Sequence, residues 1–444
     1  MKISWLDLSD RIKYELQQRE EEGNDVSELR AEWSALEDSG LNEENKKVDS
    51  EKFYHKLENF PFTIENQINE PSEWNEIIQI TNVKPDNVSS FISEFIEDRI
   101  LGGWLGRSAG CLLGKPIEKT PRSGIKELLT SNNTWPIKDY ITGRGISDIL
   151  LKKYPWNKHS GKESLKENIE CMTEDDDMNY PMINLLVFEK FGEEFLTEHI
   201  IQTWMENFPS LSTFTAERVA YANTIAGFNP PETALIRNPY REWIGAQIRA
   251  DFWGWISPSQ PIRAAEFAWR DARLSHARNG IYGELFFASA ISLAFQYNDV
   301  KEIITKALDV IPPKSRLVSA LNYVLSLPVE TQSWEETVDA LYEKFGKYHW
   351  VHTINNASLV VAALISSKGD FETAICNVVM GGWDTDSNGA TVGSIMGTMM
   401  GAKNLPSKWI NPLNNKIRSS LKGFDNSLLS DLSKRTSVLA KYKS

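Results

Sequence analysis

Cysteine is scarce in this chain of 444 residues, which has three, at positions 111, 171 and 376. Their wide spacing excludes a disulfide framework and a CxxC zinc motif, and it is typical of a reducing compartment. The opening residues, MKISWLDLSDR, lack the apolar core of a signal peptide, and no apolar run is long enough to cross a bilayer. These absences predict a cytoplasmic protein that does not enter a membrane.

Positive charge is also in short supply, since the formal net charge is −13 and the pI is about 5.2. A protein that coats nucleic acid needs a broad basic surface, so that class is excluded. The sequence contains no GxSxG nucleophile elbow, no glycine-rich phosphate loop after a strand and no EF-hand loop. It does contain 15 Trp and 19 Phe, which is ample material for a large buried core.

Alternating strand patterns are scarce, whereas helix-length amphipathic segments recur after residue 91, and this predicts an all-α fold. The clearest segments are Met182–Phe191, Pro261–Ser275, Tyr282–Phe295 and Trp334–Phe345. We predict a charged helical extension in residues 1–90, the main domain in residues 91–425 and a C-terminal tail in residues 426–444.

Within the extension, helical spacing marks Trp5–Glu22 and Glu28–Leu36, and prolines mark Asn69–Ser90 mostly as loop. Two interpretations of this extension remain open. It is either a helical subdomain packed on the main body, or an arm that binds a partner or covers the active site.

Two glycine ladders repeat every four residues, one at Gly102, 106, 110 and 114 and one at Gly389, 393, 397 and 401. Residues four apart share a helix face, and each helical glycine costs about 1 kcal/mol relative to alanine. Close approach of two helices offsets that cost. Charged residues in and beside the ladders disfavour a transmembrane dimer, so we predict a tight helix crossing in a water-soluble core. Glu118 continues the first ladder beyond Pro116, which places a carboxylate at the edge of this crossing.

Two acidic clusters each precede a predicted helix: Thr173-Glu174-Asp175-Asp176-Asp177 and Asp384-Thr385-Asp386-Ser387. Negative charge is favoured at a helix N-terminus, and carboxylate and hydroxyl oxygens are the ligands of hard divalent cations. Either cluster alone is more often a solvated surface or a helix cap than a set of metal ligands. Their pairing with the two ladders favours a shared site for two ions.

These motifs resemble those of the ADP-ribosylglycohydrolase family. LGGWLGRSAGCLLGKPIE (101–118) is similar to the family's opening glycine ladder, TEDDDM (173–178) to its first metal motif and GGWDTDSNGATVGSIMG (381–397) to its second. GAQIR (245–249) and Ser275-His276 are similar to segments between them. The resemblance covers about residues 91–410 and leaves the first 90 outside. Departures from the family pattern stand at Cys111, Glu174, Asp176, Ile244 and Trp383.

The resemblance implies an orthogonal all-α bundle that binds two Mg²⁺ ions, with Mn²⁺ as a substitute. It implies metal ligands at Thr173, Glu174, Asp175, Asp384, Asp386 and Ser387, with Glu118, Asp175 and Asp386 as catalytic residues. For Glu118, the roles of general base and of metal ligand both stay open. Substrate contacts are expected at Gly245, Arg249, His276 and Asn355, although His276 and Asn355 are equally interpretable as structural residues.

The implied activity is hydrolysis of an N- or O-glycosidic bond to ribose, which removes ADP-ribose from a modified protein or a metabolite. One alternative is a hydrolase of nucleosides or simpler ribosyl compounds. A second is a binding or immunity protein whose N-terminal segment occludes an ADP-ribosyltransferase. A third, a non-catalytic structural relative, is disfavoured because the metal-ligand positions are filled.

Overall fold

The computed structural model describes residues 3–40, 42–60, 63, 68–81, 83 and 93–440, and in these ranges the protein is all-α, as predicted. The helices of the N-terminal part are α1 (Leu8–Glu21), α2 (Ser27–Asp38), α3 (Glu43–Glu58) and α4 (Trp74–Ile80). Those of the main body are α5 (Ser93–Gly114), α6 (Arg122–Ser131), α7 (Asp148–Lys153), α8 (Asp176–Phe191), α9 (Thr197–Asn207), α10 (Thr215–Ile225), α11 (Glu232–Leu235), α12 (Ala250–Trp255), α13 (Pro261–Ala272), α14 (Asn279–Leu293), α15 (Val300–Ala307), α16 (Arg316–Ser326), α17 (Trp334–Phe345), α18 (Thr353–Ser366), α19 (Phe371–Met380), α20 (Thr385–Met400), α21 (Ser407–Ile410) and α22 (Leu429–Leu439).

Short 3₁₀ turns connect several helices, at Lys115–Ile117, Gly192–Glu194, Ser210–Ser212, Gln247–Arg249, Leu308–Val310, Ala402–Asn404 and Asn411–Leu413. The only strands in the described ranges are β1 (Lys416–Ile417) and β2 (Ser427–Leu428), which pair antiparallel. Among the described residues, no helix combines the length and the apolar character needed to cross a membrane.

Helix boundaries follow local capping chemistry. Asp7 accepts a hydrogen bond from the Ser9 amide (3.1 Å) at the start of α1, and Ser333 and Glu336 form a reciprocal capping box at the start of α17. The predicted helical segments of the main body and of the N-terminal extension are confirmed to within a few residues at their ends.

The interpretation of residues 69–90 as mostly loop was wrong for Trp74–Ile80, which form α4. Tertiary contacts stabilise this short helix, because Ile77 is fully buried and Trp74 packs on Trp269 with ring centroids 6.1 Å apart. Residues 82 and 84–90 lie outside the described ranges.

The two glycine ladders pack directly against each other in α5 and α20, as predicted. A Cβ added to Gly106 would overlap the carbonyl oxygen of Gly393, and one added to Gly110 would overlap that of Gly389. The overlaps are reciprocal, so the helices run antiparallel with backbone against backbone. Only glycine permits this approach, and it brings the C-terminus of α5 to the N-terminus of α20.

The segment 426–444, predicted as a tail, includes α22, which packs against α5. The indole Nε1 of Trp104 donates to Thr436 Oγ1 (3.1 Å), and both residues are fully buried. Residues 441–444 lie outside the described ranges.

Helices α1, α2 and α3 have a small core of their own, which is separate from that of the main body and consists of Ile12, Leu16, Val26, Leu29, Trp33, Phe53, Tyr54 and Leu57. Helix α1 joins the body through Tyr14, which packs on Trp243 (centroids 5.3 Å apart), and through buried charged groups. Arg241 pairs with Glu15 and with Glu22 (2.7 Å each), and Gln18 donates to Glu242 (2.7 Å). The side chains in these ion pairs and this hydrogen bond are almost completely buried, so the position of α1 on the body is fixed by geometry.

Candidate functional site

The contact between α5 and α20 brings the two acidic motifs and Glu118 together. The hydroxyl of Thr385, the first residue of α20, donates to the carbonyl of Gly114, the last residue of α5 (2.8 Å). Asp175 caps α8 by accepting from the Asp177 amide (2.9 Å). Ser387 Oγ donates to Asp177 Oδ2 (3.1 Å), which links the first motif to the second. Three helix ends therefore meet at one acidic centre.

Two groups of three side chains at this centre have ligand atoms within 4.8 Å of one another: Cys111, Asp175 and Asp177, and Glu118, Asp384 and Asp386. The Oδ1 atom of Asp177 is buried and has no hydrogen-bond partner. Burial and the carboxylate of Asp175 raise the pKa of the Cys111 thiol well above its usual range, so the neutral thiol is a poor ligand. The remaining donors are oxygens, which fit a hard divalent cation.

Lys115 lies between the two groups and was not predicted. Its ammonium contacts Asp175 Oδ2, lies 3.0 Å from Asp386 Oδ2 and lies 3.4 Å from Glu118 Oε2. Burial opposes the charge, but the carboxylates of Asp175 and Asp386 outweigh it and raise the pKa of Lys115 well above its usual range. Lys115 is therefore a charged ammonium inside the acidic centre.

Crowding of carboxylates perturbs their pKa values. Burial and Glu118 raise the pKa of Asp386 to about 7, and burial together with Asp386 raises the pKa of Asp384 well above its usual range. Burial alone would raise the pKa of Glu118, but the ammonium groups of Lys115 and Lys119 lower it overall. A bound cation would relieve the repulsion among the aspartates, while Glu118 is ionised at neutral pH without one.

The other predicted metal ligands lie around this centre. Ser387 is almost fully buried and contacts Asp177 as described. Thr173 is also buried, with its hydroxyl 3.0 Å from Ser164 Oγ, and Glu174 accepts from Asn179 Nδ2 (2.9 Å). Among the acidic residues, Glu174 does not belong to either of the two groups of clustered ligands. Asp177 belongs to one of these groups and to the acidic motif 173–177, but it was not among the predicted metal ligands.

Of the four predicted substrate contacts, Gly245 alone lines the cleft at the acidic centre. A Cβ at Gly245 would overlap the carboxylate of Glu217. Arg249 is fully buried and pairs with Glu217 (2.9 Å) and Asp271 (3.1 Å). This ion pairing places the Arg249 guanidinium behind the cleft wall.

The last two predicted substrate contacts are also buried. His276 lies next to the same network, with Nδ1 2.8 Å from Ser275 Oγ. Burial and Arg249 lower its pKa well below the usual range, so its ring is neutral. Asn355 is fully buried and donates to the carbonyl of His349 (3.2 Å), and His349 is itself a cleft residue. Asn355 thus reaches the cleft only through His349.

The cleft has a cavity volume of about 100 Å³ and two kinds of lining. Charged residues of the acidic centre form one part, namely Lys115, Glu118, Lys119, Asp176, Asp177, Asp384 and Asp386. Aromatic residues form another, namely Trp5, His159, Phe214, Trp243, His349 and Trp350. Sequence reasoning selected Glu118, Asp384 and Asp386 of the charged part, but its predicted site residues did not include Lys115, Lys119, Asp176 or Asp177. It missed the aromatic part because those residues come from five separate places in the chain.

The comparisons with known proteins agree with this architecture. The family model described as ADP-ribosylglycohydrolase matches residues 93–438. A solved structure titled "ADP-ribosylglycohydrolase-related protein complex" is similar to this chain with a TM-score of 0.51 and 16% identity, over 78% of this chain and 98% of that chain. No curated protein sequence matches the chain. The chain belongs to the ADP-ribosylglycohydrolase family and is a hydrolase of the glycosidase type.

Proposed function

We propose that the protein is a Mg²⁺-dependent glycohydrolase that cleaves an N- or O-glycosidic bond to ADP-ribose, in a modified protein or in a metabolite. The observation that carries the proposal is the meeting of both acidic motifs and Glu118 at one cleft. The family match supports action on ADP-ribose linkages.

Asp384 and Asp386 are the proposed ligands of one Mg²⁺, and Asp175 and Asp177 those of a second, with Mn²⁺ as a substitute for either. The cation, when bound, supplies Lewis-acid chemistry that orients the ribose and acidifies water. Ser387 holds Asp177 in place through its hydroxyl (3.1 Å). Asp384 and Asp386 have a fixed geometry because both belong to the first turn of α20 or its cap.

We assign the role of general base, or of anionic stabiliser of an oxocarbenium-like transition state, to Glu118. Its side chain is mostly buried and lies 3.1 Å from Lys119 and 3.4 Å from Lys115. Because the two ammonium groups lower its pKa, Glu118 is a carboxylate at neutral pH. A carboxylate accepts a proton or stabilises positive charge on the sugar, and it is unsuited to donate a proton to the leaving group.

The test compares wild type with Asp386→Asn in the presence of Mg²⁺, and detects products by mass spectrometry. Substrates are ADP-ribosyl-arginine, ADP-ribosyl-serine, O-acetyl-ADP-ribose and unmodified nucleosides. We expect wild type to release ADP-ribose from at least one of the first three. Asp386→Asn should lose activity by about a thousandfold, since a direct metal ligand contributes several kcal/mol to the transition state. Its Mg²⁺ affinity, measured by calorimetry, should fall as well.

Asp431→Asn is the matched control, because Asp431 is exposed on α22 and should leave turnover and Mg²⁺ binding unchanged. Full activity of Asp386→Asn would overturn the assignment of the metal centre. Release of ribose from nucleosides alone would replace ADP-ribose with simpler ribosyl compounds as the substrate class.

A further inference from the structure

Trp5, in the N-terminal segment, lines the cleft. This residue lies far outside residues 93–438, which match the family model. Its side chain is half-buried. The indole packs edge to face on Tyr240 (centroids 5.8 Å apart, 86°) and on Trp243 (6.4 Å, 81°). Part of its surface therefore faces the cleft while the rest is held by aromatic neighbours.

The backbone of Trp5 is held in an uncommon conformation, with a φ of 70°. A bulky residue rarely adopts a left-handed φ, and such strain persists only where surrounding contacts impose it. Here Arg11 Nε donates to the Trp5 carbonyl (3.2 Å) and Tyr240 OH also approaches it (3.4 Å). Arg218 donates to the carbonyl of Ser4 (3.2 Å). Three side-chain hydrogen-bond donors thus hold the main chain at Ser4 and Trp5, in the position that places the indole at the cleft.

The neighbouring cleft residues form an aromatic surface without formal charge. Trp243 and His349 stack in parallel, with centroids 4.0 Å apart and an interplanar angle of 6°. Burial lowers the pKa of His349 to about 3, so this imidazole is neutral at physiological pH. Trp350 lies beside His349, at a centroid distance of 6.0 Å. Such a surface favours a flat ring, which gains from stacking on indole faces.

We propose that Trp5 and Trp350, with the buried Trp243 packed behind Trp5, bind a flat nitrogen heterocycle carried by the ribosyl substrate, so that the N-terminal segment helps to select that substrate. This inference rests on the proposed function, because the same cleft holds the acidic centre for the ribose. It assigns to the extension a place in the binding site. The buried ion pairs of Arg241 with Glu15 and Glu22 keep α1, and hence Trp5, in register with the body.

The test measures binding of three probes by calorimetry with Mg²⁺ present. ADP-ribose carries an adenine, nicotinamide mononucleotide carries a pyridinium ring, and ribose 5-phosphate carries no ring. Trp5→Leu should weaken binding of at least one ring-bearing probe by about tenfold, the usual loss on removal of an aromatic stacking partner. Binding of ribose 5-phosphate should stay within about twofold, because it makes no stacking contact. Trp5→Phe, which keeps a ring, should recover most of the affinity.

Two further variants separate stacking from a general effect on the fold. Trp350→Leu removes a cleft aromatic that belongs to the main body, and it should produce the same loss as Trp5→Leu without touching the N-terminal segment. Trp334→Leu removes a half-buried indole that does not line the cleft, and it should bind all probes as wild type does. Thermal unfolding of each variant reports whether the segment stays attached.

Equal binding of ring-bearing probes by wild type and Trp5→Leu would overturn the inference. So would an equal loss for all three probes, which would give Trp5 a structural role only. Wild type that binds the ring-bearing probes through Trp5 but hydrolyses no ribosyl bond would overturn the proposed function and support the ring-binding surface. Wild type that binds none of the probes would overturn both.

Discussion

Two interfaces hold this molecule together by opposite means. Between α5 and α20, glycine removes the side chains, and the two backbones touch. Between α1 and the body, long charged side chains pair with one another beside the aromatic contact of Tyr14, as Arg241 does with Glu15 and Glu22. The first interface depends on the absence of side-chain atoms at the glycines, and the second depends on the presence of each charged partner. They should therefore fail under different substitutions and at different pH.

The largest effect is expected from Gly110→Val in the glycine interface. Its side chain would occupy the position of the Gly389 carbonyl group, and neither backbone can move without separating the helices. We expect no cooperatively folded protein, as judged by circular dichroism and thermal unfolding. Gly369→Val is the matched control, because no atom lies within 4 Å of its Cβ. That control should cost about 1–2 kcal/mol, from its left-handed φ alone. A folded Gly110→Val variant would show that the helices can separate.

A smaller but still large effect is expected from Arg241→Met in the charged interface. The substitution removes one of the two arginines that pair with each buried carboxylate, since Glu15 also pairs with Arg19 and Glu22 with Arg278. Loss of a buried charge partner costs about 3–5 kcal/mol. Urea unfolding should show this decrease in the free energy of unfolding. Arg435→Met removes a more exposed partner of Glu189 (2.7 Å) and should cost less than about 1 kcal/mol. Equal costs for the two variants would mean that burial adds nothing to the Arg241 interaction.

The smallest effect is a dependence on pH that belongs to the charged interface alone. His349 donates its backbone N–H to Glu21 of α1 (2.6 Å), and burial lowers its pKa from 6.5 to about 3. Between pH 6.5 and about pH 3, His349 is protonated in the unfolded chain but neutral in the folded chain. The contribution of His349 to stability is therefore lost as the pH falls below 6.5, by about 2 kcal/mol at pH 5. The contact between glycines contains no ionisable side chain.

Urea unfolding at pH 7.5 and pH 5 measures this dependence in wild type and in His349→Phe. The variant keeps an aromatic ring against Trp243 and should lose less stability on acidification than wild type. His55→Phe, at an exposed position on α3, should follow wild type. If His349→Phe and wild type lose the same amount, other groups cause the acid sensitivity.

The sequence allowed prediction of the parts that depend on local or periodic patterns. The glycine ladders predicted a close helix pair, because close packing of two helices offsets the free-energy cost of so many helical glycines. The acidic motifs predicted two helix N-termini. The positions of Lys115 and Trp5 could not be predicted in this way. Lys115 meets Asp386 across 271 residues, and Trp5 meets Trp243 across a similar separation. The residues next to Lys115 and Trp5 in the sequence do not indicate these contacts, because the contacts form only when the helices pack.

Lys115 has a consequence for how the protein matures. A cluster of buried carboxylates without a counter-ion opposes folding, and many metal sites form only when the ion is present. Here the chain carries its own cation, held against Asp175, Asp386 and Glu118. The protein is thus expected to fold without bound metal. In cells that lack the metal, it would accumulate as a folded, inactive enzyme rather than as an unfolded chain.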